Sequence, residues 1–173
     1  MEQNNSIEFV IVNGKKFPVK NGILELVFEN IKSISEIEGL NKLTNLQELY
    51  LTANYIEDLD GLENIVNLKK LLIQENVITE IKGLENLTKL KTLWLQENLI
   101  TEIKGLETLT SLKKLLLHQN QISELKGLEN LRSLEILYLY GNPILDTIFE
   151  ETGDEYEYNG QKYVEYCQKK TRK

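Results

Sequence analysis

The sequence predicts an α/β solenoid, in which stacked coils share one parallel β-sheet between an N-terminal β-hairpin cap and a C-terminal helical cap. Two ladders of residues recur at a constant step of 22 residues. The ladder members are Asn54, Asn76, Asn98, Asn120 and Asn142, and Gly39, Gly61, Gly83, Gly105 and Gly127. A fixed period of this length is the signature of a solenoid. We therefore expect one domain over 1–173, with a cap at 1–31, repeats at 32–143 and a second cap at 144–173.

Each repeat is predicted to hold one short strand followed by a return arm. The strands are expected near 48–52, 70–74, 92–96, 114–118 and 136–140. Each contains two aliphatic residues that lie two apart: Leu49 and Leu51, Leu71 and Ile73, Leu93 and Leu95, Leu115 and Leu117, and Leu137 and Leu139. Alternate side chains of a strand point to opposite faces, so each pair points inward together. The arm adds apolar residues such as Ile56, Leu59 and Leu62, and only stacked neighbours can bury this set.

The asparagine and glycine ladders are interpreted as scaffold. Where the chain bends off a strand, backbone groups lose their sheet partners, and an inward asparagine amide can both donate to and accept from them. Glycine lets the return arm turn tightly, because it has no Cβ in the way. Neither ladder is therefore predicted to be a functional site.

The consensus L-x-x-L-x-L-x-x-N-x-I-x-x-I-x-G-L runs from about Ile34 to Ile144 and resembles a leucine-rich repeat. It is similar to the 22-residue class found in regulatory subunits of type-1 protein phosphatase and in bacterial internalins. The resemblance implies a right-handed horseshoe or arc whose parallel sheet is concave. It also implies a non-catalytic protein–protein adaptor, with a phosphatase or GTPase system as partner. An internalin-like surface adhesion module is the alternative function.

The N-terminal segment is predicted to form a small antiparallel meander. The apolar, β-branched run at 7–12 and the segment at 15–19 flank Asn13 and Gly14, and an Asn-Gly pair between two strand-like runs is a strong hairpin signal. A second Asn-Gly pair leads into a further apolar run at 23–28. We expect the meander to cover the open end of the solenoid, because an uncovered sheet edge invites aggregation.

The first repeat departs from the consensus. Lys32 stands at the asparagine position, and Glu29 stands where the second strand leucine is expected. Terminal repeats are often atypical. Two interpretations are open: the strand register shifts here, or the cap replaces part of the repeat.

After Asn142 the period ends and a C-terminal cap is predicted. The apolar residues expected to roof the last repeat are Ile144, Leu145, Ile148 and Phe149. An acidic loop follows, and then a helix from roughly Gly160 to Lys170. The residues expected to pack this helix down are Tyr163, Val164, Cys167 and Tyr156.

The composition disfavours nucleic acid as the main partner and favours a reducing compartment. The chain has 173 residues, a formal net charge of −7 and a sequence pI near 4.9. This acidity disfavours nucleic acid, because phosphates require a basic face. Cys167 is the single cysteine, so no internal disulfide can form, and the cytoplasm is the expected location. Residues 1–6 lack the features of a secretory signal, and no stretch is apolar for long enough to cross a bilayer.

No catalytic, metal or cofactor site is predicted. His118 is the single histidine, and a catalytic or metal role would require partners that the sequence does not offer. Asp58 and Asp60 superficially resemble part of a calcium loop, but the later carboxylate ligand is missing. Charged rows on the return arms, such as Glu80 and Lys82 with their equivalents, are interpreted as a solvated outer surface.

The predicted binding face is the outward row that lies between the inward leucines. Its members are Tyr50, Leu72, Trp94, Leu116 and Tyr138, and the repeat does not require any of them to be apolar. Strands about 4.8 Å apart would spread this row over roughly 19 Å. Ile136 and Tyr140 widen it at the C-terminal end. The predicted polar flanks hold Lys70 and Lys114 on one side, and Gln74, Gln96 and His118 on the other.

An apolar stripe with charged flanks is typical of a protein interface, and Trp and Tyr are common binding anchors. We therefore predict that a protein partner binds these residues. Two alternatives remain open. The row could add cross-strand stability without a ligand, or two copies could bury their stripes against each other as a homodimer. No membrane partner is expected.

Overall fold

The computed structural model describes residues 8–144 and 159–171. The strands in this part of the chain are β1 (Phe9–Val12), β2 (Lys15–Pro18), β3 (Ile23–Glu25), β4 (Glu48–Tyr50), β5 (Lys70–Leu72), β6 (Thr92–Trp94), β7 (Lys114–Leu116) and β8 (Ile136–Tyr138). Short 3-10 turns lie at Ile34–Glu36 and Leu40–Lys42, and helix α1 spans Gly160–Thr171.

The stacked coils share a six-stranded parallel sheet in the order β3-β4-β5-β6-β7-β8. From β4 onward each residue pairs with the residue 22 positions further along, as Leu71 does with Leu93. The inward pairs of the five expected strands are all buried, and so are the return-arm residues such as Ile56, Leu59 and Leu62. The predicted solenoid with a parallel sheet is confirmed.

The N-terminal hairpin is present, but the expected three-stranded meander is wrong. β1 pairs with β2 in antiparallel fashion around Asn13 and Gly14, whose φ angles of 50° and 74° suit a tight hairpin turn. A second Asn-Gly turn reverses the chain, but β3 then pairs with β4 in parallel. The reason is burial: Leu24 and Leu26 point inward and extend the solenoid core by one coil.

A shift of register explains why the first repeat departs from the consensus. Leu24 pairs with Leu49, a separation of 25 residues where later repeats keep 22. The three additional residues are accommodated beside the 3-10 turn Ile34–Glu36, whose preceding Ser33 accepts a hydrogen bond from the Ser35 amide. Of the two interpretations left open above, the structure supports the first.

The hairpin closes the N-terminal end of the core. Val10 and Val12 are buried against the first coil. Ile11 and Glu38 exchange two backbone hydrogen bonds of 3.0 and 2.9 Å, which join β1 to the first return arm. The Asn13 side chain donates to the Glu29 carbonyl at 3.0 Å and fixes the hairpin turn.

The asparagine ladder stabilises the coils as predicted. The amide of Asn76 donates to the carbonyls of Leu51 and Ile73 at 3.0 and 3.2 Å, and its oxygen accepts from the Ile56 amide at 2.9 Å. One side chain thus satisfies backbone groups of two adjacent coils, which buried polar groups require. All five ladder asparagines are buried.

Helix α1 caps the C-terminal end, within about one residue of its predicted bounds. Tyr163, Val164 and Cys167 are buried, as is Ile144. Gln161 donates to the Leu134 carbonyl at 2.7 Å, so the helix satisfies backbone of the last coil. Burial raises the pKa of the Cys167 thiol to about 12, which makes it an unreactive apolar group. The other residues predicted for this cap lie outside the described residues: Leu145, Ile148, Phe149, Tyr156 and the acidic loop.

The charged rows of the return arms lie on the outer surface, as predicted. Lys104 contacts Glu80 of the preceding coil at 2.7 Å, and these groups are about half exposed. The return arms carry another acidic row, which consists of Glu63 and its equivalents. It has a structural role that the sequence did not reveal. Glu63 and its equivalents accept hydrogen bonds from the amides of the ladder glycines, at 3.0–3.3 Å. The Gly61 amide lowers the pKa of Glu63 in this way.

Candidate functional site

The strand register arranges the outward side chains in three rows across the sheet, which together we call the sheet face. The first row contains Ile23, Glu48, Lys70, Thr92, Lys114 and Ile136. The central row contains Glu25, Tyr50, Leu72, Trp94, Leu116 and Tyr138. Backbone hydrogen bonds beyond the strands align the third row, which contains Thr52, Gln74, Gln96, His118 and Tyr140. All the residues predicted from the sequence to bind a partner lie in these rows.

The central row is continuous, because each member pairs in register with the next. Leu72 is only 9% exposed, and the other members from Tyr50 to Tyr138 are partly buried. Tyr140 at the end of the third row is 44% exposed. Strand β3 adds Glu25 to the central row, next to Tyr50, so the apolar stripe ends at a carboxylate. Sequence reasoning missed Glu25, because it did not assign β3 to this sheet.

A cluster of three polar groups fixes the N-terminal end of the stripe. The Tyr50 hydroxyl donates to the Glu48 carboxylate, and the Lys70 ammonium lies 3.0 Å from the Tyr50 hydroxyl oxygen and 3.3 Å from Glu48 Oε2. The bond from Tyr50 is the main reason that the pKa of Glu48 is lowered, and the same hydroxyl raises the pKa of Lys70. Both groups therefore stay charged near neutral pH, and Lys70 is engaged within the face.

Aromatic rings form a second cluster at the C-terminal end of the stripe. The His118 ring stacks on Tyr140 with centroids 4.3 Å apart and meets the edge of Tyr138 at 6.2 Å. Burial lowers the pKa of His118, and the nearby charge of Glu97 opposes this effect. The imidazole is therefore neutral at pH 7 and acts as part of an aromatic surface.

Four buried side-chain atoms in the described part of the chain have no hydrogen-bond partner, and all four belong to the sheet face. They are Gln74 Oε1, Trp94 Nε1, Gln96 Oε1 and His118 Nδ1. Buried polar groups are normally paired, and an unpaired one costs about 1–3 kcal/mol. The buried polar atoms that lack hydrogen-bond partners therefore lie in two adjacent rows of one surface, the central row and the third row.

A substitution of Gln96 tests whether its side-chain oxygen lacks a hydrogen-bond partner. We expect Gln96→Leu to raise the free energy of unfolding by about 1 kcal/mol, because an apolar side chain of similar length removes a buried group without a partner. Urea denaturation monitored by circular dichroism measures this change. Gln121→Leu is the control, since that glutamine is exposed and should shift stability by less than about 0.5 kcal/mol. A net loss of stability in Gln96→Leu would show that the Gln96 amide is satisfied.

Residues 8–144 and 159–171 contain neither a candidate metal centre nor a candidate membrane-spanning helix. Within these ranges, no group of three or more His, Cys, Asp or Glu residues is placed to hold a metal ion. No helix within them combines the length and the apolar character needed to span a bilayer.

Comparison with known proteins identifies the repeat. The sequence model described as Leucine Rich repeats (2 copies) matches residues 24–64, 66–108 and 110–151. The first match begins within β3, the strand that the fixed period did not reveal. A search of curated proteins found no significant match.

Two internalins of Listeria monocytogenes are similar in structure. InlF is 37% identical over 70% of this chain and 35% of its own, with a TM-score of 0.63. InlC2 is 29% identical over 70% of this chain and 62% of its own, with a TM-score of 0.53. The chain therefore spans less than two thirds of either internalin. Such repeats typically form non-catalytic interaction modules, and the fold is the expected arc with a concave sheet and a helical cap. The family match over most of the sequence, together with these structural neighbours, shows that the chain belongs to the leucine-rich repeat family.

Proposed function

We propose that the protein is a non-catalytic binding module that holds a protein partner on its concave sheet face. The observation that carries this proposal is the continuous row from Tyr50 to Tyr138. The core is complete without this row, because the inward leucine or isoleucine on either side of each member is already buried. An apolar stripe that the core does not need, flanked by polar rows, fits a partner surface.

The unpaired polar atoms support the same proposal. A surface selected for stability alone would pair the amides of Gln74 and Gln96 or replace them with apolar groups, because each unpaired atom costs free energy. These atoms are closed to solvent in the free chain, so a partner would complete their hydrogen bonds by turning the side chains of Gln74, Gln96 and Trp94 toward it. Donors and acceptors are both present, since the indole N–H donates and the glutamine oxygens accept.

Trp94 is the anchor to test first. We expect Trp94→Ala to weaken partner binding by about 2 kcal/mol, a factor of roughly 30 in Kd, because truncation removes the largest side chain at the centre of the face. A pull-down from native lysate with the wild type and a Trp94→Ala, Tyr138→Ala double variant gives the candidates. Titration calorimetry with each purified candidate then measures the affinity.

Tyr55→Ala is the matched control for this experiment. Tyr55 is an aromatic residue that is 56% exposed, but it lies on the return arm and outside the sheet face. We expect the control to bind candidates like the wild type, and all variants to keep native circular dichroism spectra. Equal binding by the wild type and the double variant would overturn the proposed site.

Two narrower proposals concern the class of the protein partner and the cellular location of this protein. The resemblance to phosphatase regulators supports a phosphatase or GTPase system as partner, and a cytoplasmic location fits the buried free thiol of Cys167. A second candidate is an internalin-like recognition module at the cell surface, which the 37% identity to InlF favours. Fractionation of the native cells, with protease treatment of intact cells, distinguishes the two locations. The identity of the captured protein tests the partner class.

A further inference from the structure

A row of lysines follows one edge of the sheet face, at the residue just before each of the strands β5, β6 and β7. The Lys91 amide donates to the Lys69 carbonyl at 2.8 Å, and the Lys113 amide donates to the Lys91 carbonyl at 2.9 Å. These lysines therefore stack directly on three consecutive coils, about 4.8 Å apart. Lys114, the first residue of β7, is exposed beside them. We call Lys69, Lys91, Lys113 and Lys114 the lysine edge.

Lys91, at the centre of the lysine edge, has no acidic partner within the described residues. Lys69 reaches away from the centre to Gln47 Oε1 at 2.8 Å, and Lys113 reaches the other way to Glu135 at 2.6 Å. Lys91 lies between them and forms no ion pair in the part of the chain that the structure describes; Lys114 forms none there either, but the charge of Glu135 acts on it at longer range. Like charges stacked on adjacent strands destabilise a sheet, so this arrangement costs stability.

The return arms also stack like charges, but there each lysine has an acidic partner. Lys82, Lys104 and Lys126 contact Asp60, Glu80 and Glu124 at 4.0, 2.7 and 2.9 Å. The repeat can therefore neutralise a lysine row, and it does so on the outer surface.

From these contacts we infer that the partner presents an acidic peptide segment, with carboxylates at Lys91 and Lys114 and an apolar side chain against Trp94. This inference rests on the proposed function. Lys91 lies immediately before β6 and three residues ahead of Trp94 in extended chain, so the two subsites are about 10 Å apart. An Asp or Glu two or three residues from a Leu, Phe or Trp in an extended segment spans this distance. Partner carboxylates relieve the repulsion along the edge, and this charge complementarity identifies the occupant.

Two other occupants fit the face less well. Glu25 ends the stripe and Glu97 lies beyond the third row, so a long polyanion such as a nucleic acid meets repulsion away from the lysine edge. A second copy of this chain presents another concave sheet, and two concave surfaces meet only at their rims. Both occupants are outcomes of the test below.

The test is a selection of random 12-residue peptides, displayed on phage, against the immobilised full chain. We expect the enriched peptides to carry more Asp and Glu than the starting library, placed near Leu, Phe or Trp. Affinities of the synthesised peptides should weaken about tenfold or more for a Lys91→Glu, Lys114→Glu variant and should fall as salt increases. A Lys15→Glu, Lys42→Glu variant has the same net charge but changes exposed lysines elsewhere, so it should bind within about twofold of the wild type.

Several results would overturn this inference, and they separate it from the proposed function. If Trp94→Ala abolishes peptide binding while the Lys91→Glu, Lys114→Glu variant retains it, the acidic segment is wrong and the binding face stands. If neither change matters, or if no peptide is enriched, the face itself fails. Peptides without an acidic bias, tighter binding of a single-stranded oligonucleotide, or a dimer in sedimentation that the charge reversal dissociates would each assign the lysine edge to another role.

Discussion

Gly127→Ala is expected to lower the free energy of unfolding by about 3 kcal/mol or more. A Cβ at Gly127 would lie 2.0 Å from the carbonyl oxygen of Ile103 and 2.9 Å from its carbonyl carbon, in the return arm of the preceding coil. Gly127 also has a φ of +80°, where an L side chain costs about 1–2 kcal/mol by itself. The contacted atoms are backbone and cannot rotate away, so the two coils must separate, and a stack held by nearest-neighbour contacts loses packing on both sides.

The chain provides matched controls that separate the two costs. Gly14 has a similar φ of +74°, but a Cβ there meets nothing within 4 Å, so Gly14→Ala should cost only about 1–2 kcal/mol. Gly83 is intermediate, because its Cβ would lie 3.1 Å from the Leu59 carbonyl oxygen. Urea denaturation of the three variants should rank the losses as Gly14, then Gly83, then Gly127. Equal losses at Gly14 and Gly127 would show that close contact between coils is not the constraint.

The period of the sequence was sufficient to predict most of the fold. Each coil buries the same positions against its neighbours, so residues such as Leu71 and Leu93 must recur at a constant step, and the strands follow from that step. The same period did not predict that strand β3 belongs to the parallel sheet, for two reasons. Its separation from β4 is 25 residues, and a local hairpin signal at Asn21 and Gly22 competed with the parallel pairing that burial of Leu24 favours.

The candidate site could be predicted in outline, because register fixes which side chains share a face. The register that follows from the 22-residue period placed Tyr50, Trp94 and Tyr138 in one row. The contacts within the face depend on side-chain rotamers, which a period does not determine. The structure alone therefore reveals that Lys70 is held by Glu48 and Tyr50.

The second large loss of stability is expected from a substitution in the asparagine ladder. We expect Asn98→Ala to lower the free energy of unfolding by about 3–5 kcal/mol, because it leaves several buried backbone groups without partners at once. Asn98 Oδ1 accepts from the Ile78 amide at 2.9 Å, and its Nδ2 donates to the carbonyls of Ile73 and Leu95, both at 3.1 Å. Ile73 and Leu95 belong to adjacent coils, so the variant weakens each coil and the junction between them.

Asn86→Ala is the control, on the return arm of the preceding repeat. Asn86 is exposed and makes one hydrogen bond, of 3.3 Å, to the Glu63 carbonyl, so its loss should cost less than about 1 kcal/mol. The two variants remove the same chemical group, so the difference in their urea unfolding free energies measures what burial adds to it. Asn98 lies at the middle of the stack, and its loss should broaden the transition if the two halves then unfold separately. A difference below about 1 kcal/mol would mean that water reaches the strand ends and replaces the amide, and the ladder would then not be the scaffold of this solenoid.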